Sequence, residues 1–173
     1  MKAIFRSASL VLIFMLGYTV AVNAQAGKKA DNDTEEWRYD IECVSTGASG
    51  SYLIKVWSYS KKPTVAINQA KKNAVHGIIF KGFTGTGAGC TQKPLAGNPA
   101  IEQEKAEFFK DFFADGGKYM KFVSEASEGD IAASDIVKVG KEYKIGVVVS
   151  VSKDQLRKDL EAAGIIRGLS DGF

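Results

Sequence analysis

The sequence contains little histidine and cysteine, and this scarcity excludes several kinds of site. Its 173 residues include one histidine, His76, and two cysteines. A single histidine excludes metal sites built from several histidines. The net charge of +3 is small, and lysine pairs are scattered among acidic residues, so the surface is not that of a nucleic-acid-binding protein. We therefore expect no metal, no cofactor and no nucleic-acid partner.

Long hydrophobic runs are also missing, except near the N-terminus. Residues 10–16 form an unbroken apolar run after Lys2 and Arg6, and the small-residue sequence Val22-Asn23-Ala24 follows it. This arrangement is typical of a cleavable secretory signal over residues 1–24, and the run is too short for a transmembrane helix. We expect an exported protein, periplasmic or secreted, that is soluble and not membrane-spanning once the signal is cleaved.

Cleavage would leave 149 residues with a net charge of +1, which is an ordinary size for one domain. Residues 25–36 are small, polar and charged, and they predict a disordered leader. A single domain is expected over residues 37–173.

Both cysteines, Cys43 and Cys90, lie in the exported part of the chain. Cysteine pairs in an oxidising compartment usually form disulfides, and closing this loop would remove about 4 kcal/mol of unfolded-chain entropy. We predict a Cys43–Cys90 disulfide. The alternative is a small buried Cys43 and an unrelated Cys90 in a loop.

Two β-strand patterns open the domain. Residues 37–43 alternate between apolar and charged side chains, and residues 52–59 are rich in β-branched and aromatic side chains. A stretch of Gly and Ser separates them, so a β-hairpin is predicted. Residues 64–80 then predict a helix with Ala66, Ala70 and Ala74 on one face, beginning near Pro63.

The middle of the chain combines a glycine-rich loop with a second helix. Residues 82–97 are predicted to be irregular, and residues 99–114 to be helical. Four phenylalanines give this helix an apolar stripe that is expected to lie in the core, or else to bind a ligand or partner. They are Phe108, Phe109, Phe112 and Phe113.

Three strands and a helix complete the pattern. Short strands are expected at residues 119–123 and 136–139, and residues 143–151 alternate so regularly that a central strand is predicted. Ser152 and Gln155 suggest a capping box for the last helix, which Gly164 ends. The order β-β-α-α-β-β-β-α predicts an α+β fold, a two-layer sandwich with a mainly antiparallel sheet of about five strands and helices on one face.

Two groups of residues are candidate contact surfaces. Trp57 and Tyr59 could form a platform for a sugar or a peptide, although packing beneath a helix is the favoured alternative. The glycines of the long loop, Gly85, Gly87 and Gly89, lack the strand and helix that a phosphate-binding loop requires on either side. A long loop of this kind can still bind a partner.

No residue is assigned a catalytic role. A Cys90–His76 hydrolase lacks any local signature, and a disulfide would remove its nucleophile. His76 is expected at the surface or its boundary. The acidic residues of the second helix, among them Glu102, form a face patterned for solvent.

A family resemblance rests on three segments: residues 66–74 (AINQAKKNA), the 143–151 strand and the helix after Ser152. The chain resembles the N-terminal domain of flagellar assembly protein T, related short envelope lipoproteins, and uncharacterised secreted proteins of Bacteroidetes-type bacteria. The resemblance implies an accessory or assembly role without catalysis. The chain departs from the lipoproteins because no cysteine follows the predicted cleavage site, and the resemblance assigns no functional residues.

These expectations lead to a non-catalytic binding or assembly module of the cell envelope whose partner is an envelope protein or a small ligand. The contact surface would be the exposed side of the sheet or the 82–97 loop. The alternatives are an extracytoplasmic hydrolase and a carrier of a small apolar ligand that uses the phenylalanines.

Overall fold

A computed structural model describes residues 37–126 and 131–168, and an antiparallel sheet is its central element. The predicted signal segment and leader lie outside these residues. The strands of the main sheet are β1 (Tyr39–Thr46), β2 (Ser51–Ser60), β5 (Val123–Glu125), β6 (Ile136–Val139) and β7 (Glu142–Ser152). Their order is β1-β2-β7, and β5 and β6 both pair with the far side of β7, one after the other along it.

This topology confirms the predicted five-stranded antiparallel sheet. The β1–β2 pair forms the expected hairpin, with a bulge between Cys43 and Ser45. Strand β7 pairs with β2 over ten residues and with two shorter strands on its other side, so it is central, as its unbroken apolar alternation predicts.

The two faces of the sheet differ because side chains alternate along each strand. On β2, Ile54, Val56 and Ser58 are fully buried, whereas Trp57 and Tyr59, at the alternate positions, are only partly buried. We call the buried side the inner face and the opposite side the outer face.

The described helices pack on the inner face, which confirms the predicted two-layer α+β architecture. The first helix brings Ala66, Ala70 and Ala74, all fully buried, against β2 and β7, so the small-residue stripe allows close packing. The helices are α1 (Pro63–His76), which continues as a π-helical turn (Gly77–Lys81), α2 (Ile101–Glu104), α3 (Ala106–Phe112) and α4 (Lys153–Ala162).

The predicted 99–114 helix is interrupted, and the predicted 82–97 loop is partly ordered. Lys105 has φ −114° and ψ 30°, which separates α2 from α3. The loop contains a minimal hairpin of β3 (Phe83–Thr84) and β4 (Thr91–Gln92).

The short strand predicted at residues 119–123 is wrong over most of its length. Lys118–Phe122 is a 3-10 turn, and only Val123 onward is strand. Tyr119 and Phe122 are both buried. A turn of three residues places these two rings on one side, which a strand would not do.

The last helix ends at the predicted glycine but lacks the predicted capping box at its start. Ser152 makes no side-chain cap, and it pairs with Ser51 at the end of β7. Gly164 has φ +66°, and the amide of Ile165 donates to the carbonyl of Leu160 (2.9 Å), which is the predicted glycine stop.

Among the described residues, no helix is both long enough and apolar enough to cross a membrane.

Candidate functional site

Trp57 lies at the centre of the outer face and rests on a glycine of the neighbouring strand. It is directly opposite Gly146 in the β2–β7 ladder. Three consecutive atoms of its six-membered ring lie 3.0–3.1 Å from the position that a Cβ on Gly146 would take. Because these distances are nearly equal, the ring turns its face, not its edge, toward the strand. Glycine at this position therefore lets the indole lie flat on the sheet.

Cations and carboxylates surround the indole in pairs. The ammonium groups of Lys55 and Lys144 lie 5.5 and 5.4 Å from the ring centre, within the range of cation–π attraction. Lys55 is paired with Asp135 and Lys144 with Asp40, each at 2.8 Å. The hydrogen bond from Lys144 to Asp40 raises the pKa of this lysine.

Tyr59 extends the aromatic surface by one step along β2. The guanidinium of Arg38 lies 4.9 Å from the Tyr59 ring centre and is paired with Glu142 at 3.1 Å. Val137 and Val139, opposite Lys144 and Glu142, are 45% and 47% exposed on the same face. Trp57 and Tyr59 thus lie, partly buried, on the outer face, and within residues 37–126 and 131–168 no helix packs over them.

The predicted disulfide is present, and the loop glycines lie against it. Cys43 and Cys90 are joined, with their Cα atoms 5.6 Å apart. A Cβ on Gly85 would lie 3.1 and 3.2 Å from the two cysteine Cβ atoms, and one on Gly87 would lie 3.2 Å from Cys90 Sγ. Gly89 has φ +76°, and a Cβ on it would lie 2.9 Å from Cγ2 of Thr46. These glycines allow the loop to lie close to the disulfide, at the end of β1.

The two candidate contact surfaces are therefore separate. Cys43 pairs with Ile54, whose side chain belongs to the inner face, so the glycine loop packs at that side of β1. Trp57 and Tyr59 are on the outer face. The structure does not bring the rings and the glycines into one site.

A buried polar cluster forms around His76, which the sequence placed at or near the surface. The imidazole is 2% exposed and lies between β1 and α2. The hydroxyl of Tyr39 lies 2.6 Å from His76 Nδ1, and His76 Nε2 lies 2.9 Å from Glu102 Oε1. A carboxylate can only accept, so Nε2 carries the proton and Nδ1 accepts the hydrogen bond from Tyr39.

Trp37 closes this cluster from the side of the chain's N-terminus. Its ring stacks on His76 at 3.6 Å between centres, and its indole donates a hydrogen bond to Glu102. Lys81 donates to the Trp37 carbonyl oxygen (3.0 Å), and its ammonium lies 3.9 Å from the Tyr39 ring centre.

Burial sets the protonation states in this cluster. It lowers the pKa of His76 to about 3, with a further contribution from the charge of Lys81. It also raises the pKa of Tyr39, to which the charge of Glu102 adds. The pKa of Glu102 is raised by burial and lowered in part by the hydrogen bond from Trp37 and by Lys81. At neutral pH, His76 is therefore uncharged and both its nitrogens are engaged.

The cluster has the composition of a proton relay, but its geometry suits a structural role. In a hydrolase the histidine accepts a proton from an accessible nucleophile. Here the hydroxyl that donates to His76 is that of Tyr39, which is 8% exposed and resists ionisation. The sulfur of Cys90 is held in the disulfide.

The phenylalanine stripe packs into the core: Phe109, Phe112 and Phe113 are buried, and Phe108 is partly buried. Phe108 stacks on Phe112 at 5.7 Å between ring centres, and Phe109 packs edge-on against Phe80 at 5.0 Å. Phe113 contacts Trp37 at 5.2 Å. These contacts tie α3 to the His76 cluster.

One shallow, open depression of about 300 Å³ lies beside the cluster, lined by residues 39–41 and 81–84. Its lining is mainly polar. Within residues 37–126 and 131–168, no group of three His, Cys, Asp or Glu side chains is placed to hold a metal ion.

Comparisons with family models, curated proteins and solved structures find no match to this chain. The resemblance to the flagellar assembly protein T domain and to envelope lipoproteins therefore stays a prediction.

Proposed function

We propose that this protein is a non-catalytic, exported binding or assembly module of the cell envelope and that it contacts its partner through the outer face. The observation that carries the proposal is the flat Trp57 indole on a sheet face that no described helix covers. A binding module is expected to present an aromatic or apolar surface. Export is supported by the predicted signal and agrees with the disulfide.

The alternatives make demands that the described residues support less well. A hydrolase needs titratable groups that converge on an accessible cleft. In the His76 cluster, His76 and Tyr39 are buried instead, and both nitrogens of His76 are hydrogen-bonded. A carrier of a small apolar ligand needs an open cavity, whereas the phenylalanine rings pack on one another.

Site-specific photocrosslinking in the native envelope tests the proposal. A photoreactive amino acid at Val137, on the outer face, is compared with one at Met120, in the 3-10 turn on the opposite side of the sheet. The two positions are matched because their side chains are 45% and 46% exposed. We expect a discrete adduct from position 137 that is much weaker from position 120.

Equal adducts at the two positions would contradict the outer face as the contact surface. The absence of any adduct at position 137, with normal export and folding, would contradict the binding role itself.

A further inference from the structure

The outer face offers a flat ring with a second ring beside it. Trp57 and Tyr59 are alternate residues of β2, so their Cα atoms are about 7 Å apart on the same side of the strand. The indole is held flat by Gly146 beneath it. A flat aromatic face of this kind accepts the apolar C–H face of a planar or ring-shaped ligand.

The charges around the rings are balanced. The three cations closest to the rings, Arg38, Lys55 and Lys144, are each paired with a carboxylate. A polyanion or an anionic membrane would gain little from cations that are already neutralised, and it would be repelled by their partners. The face therefore lacks the charge complementarity that an acidic ligand requires.

A protein partner would have to bury these charges. The ammonium groups of Lys55 and Lys144 lie over the Trp57 ring, and Asp40 lies opposite Trp57 in the β1–β2 ladder. The cores of protein interfaces are depleted in Lys, Asp and Glu, because their desolvation is costly. A polyhydroxylated ligand keeps such groups hydrogen-bonded, since its hydroxyls can donate to carboxylates and accept from ammonium groups.

We infer that the outer face binds a neutral glycan, with a pyranose ring stacked on Trp57 and its hydroxyls hydrogen-bonded to the Lys55–Asp135 and Lys144–Asp40 pairs. This inference rests on the proposed function and names the class of ligand for the same surface.

Titration with neutral hexasaccharides tests the inference. The probes are cellohexaose, maltohexaose and chitohexaose, and the measurement is isothermal titration calorimetry on the folded exported protein. We expect at least one probe to bind with a dissociation constant of about 1 mM or tighter. Trp57→Ala should weaken that binding about tenfold or more. Met120→Ala, which changes an exposed side chain elsewhere, should leave it unchanged.

A second variant changes the orientation of the ring without removing it. In Gly146→Ala, the new Cβ would lie 3.0 Å from the indole, so the ring must tilt away from the sheet. Binding should weaken severalfold although Trp57 is still present. The Trp37→Phe variant leaves Trp57 as the sole tryptophan, and its emission should change when the glycan binds.

Several results would overturn the inference. These are no heat from any neutral probe, tighter binding of a charged hexasaccharide such as hexagalacturonate, or equal affinity in Trp57→Ala. Self-association through this face, seen by sedimentation and abolished by Trp57→Ala, would assign the face to a second copy of the chain. If the probes fail while position 137 still crosslinks to an envelope protein, the glycan inference fails and the proposed function stands.

Discussion

Trp37 and Trp57 occupy opposite environments, although both are stacked on a flat neighbour. Trp37 covers a buried histidine whose two nitrogens are both hydrogen-bonded, one to Tyr39 and the other to Glu102. Trp57 covers a glycine on the outer face and is only partly buried, although its indole Nε1 is buried with no hydrogen-bond partner among the described residues.

This difference separates stability from binding. In the His76 cluster, a lost side chain leaves buried donors or acceptors unpaired, and such groups are costly. On the outer face, a lost side chain exposes the sheet to water, which can replace most of its contacts. Substitutions in the cluster should therefore lower the free energy of unfolding, and those on the outer face should mainly change binding.

The largest expected difference is between His76→Ala and Trp57→Ala. His76→Ala should lower the free energy of unfolding by about 3 kcal/mol, because it leaves the Tyr39 hydroxyl and the Glu102 carboxylate without their partner and opens a cavity. Trp57→Ala should cost about 1 kcal/mol. Urea unfolding of both variants measures this contrast, and equal losses would contradict it.

Acid should destabilise the protein through His76. The folded-state pKa of about 3 lies below the ordinary value of 6.5, so below pH 6.5 the unfolded chain binds a proton that the folded chain does not. Stability should be flat with respect to this group above pH 6.5 and fall as the pH decreases toward 3. The loss should be no more than about 3 kcal/mol at pH 4.

Glu102 should offset part of this loss. Its raised pKa means that the folded state takes up a proton on this carboxyl at a higher pH than the unfolded chain does. Urea unfolding at a series of pH values measures how the free energy of unfolding changes with pH. The His76→Gln variant is the control. If this variant shows the same dependence on pH as the unmodified protein, groups other than His76 cause the acid sensitivity.

A matched pair of tyrosines gives a smaller contrast. Tyr39→Phe removes the donor to His76 Nδ1 in a buried site and should cost about 1–2 kcal/mol. Tyr59→Phe removes an outer-face hydroxyl that interacts with Lys144 near water, and should change stability by less than about 0.5 kcal/mol. Thermal unfolding of the two variants measures this difference, and a larger loss of stability for Tyr59→Phe than for Tyr39→Phe would contradict it.

The smallest effect is expected for Trp57→Phe. The phenyl ring still covers Gly146, and the variant removes an indole N–H that has no partner among the residues that the structure describes. The free energy of unfolding should change by less than about 0.5 kcal/mol, whereas Trp37→Phe should cost about 1 kcal/mol because Glu102 loses a donor. Chemical denaturation resolves this difference, and a larger loss for Trp57→Phe would contradict the division between the two regions.

Local patterns predicted most of the fold. The alternation in residues 143–151 indicates a central strand, and the structure pairs β7 on both sides. Pro63 and the alanine stripe indicate α1. The prediction of a strand at residues 119–123 is wrong. The sequence alone does not tell a strand end from a 3-10 turn here, because the choice depends on whether Tyr119 and Phe122 are both in the core.

The candidate site was less accessible to sequence reasoning. The partners of His76 lie 37 and 26 residues away, at Tyr39 and Glu102, and no local pattern joins them. The alternation of Trp37 and Tyr39 did predict that both point inward. For Trp57, the continuous β-rich run of residues 52–59 hides which side faces the helices, and Gly146 beneath the ring comes from a distant strand.

The disulfide has a consequence for the glycine loop. The β3–β4 hairpin holds the glycine loop by only two residue pairs, and ordering glycines is costly in backbone entropy. The Cys43–Cys90 bond lowers the conformational entropy of the unfolded chain, which stabilises the folded state by about 4 kcal/mol. The two ends of the loop are also held by the core, through Phe83 and Leu95, so the bond acts mainly on the glycines between them. We expect reduction to release residues 85–90 from the end of β1 while the sheet and α1 keep their packing.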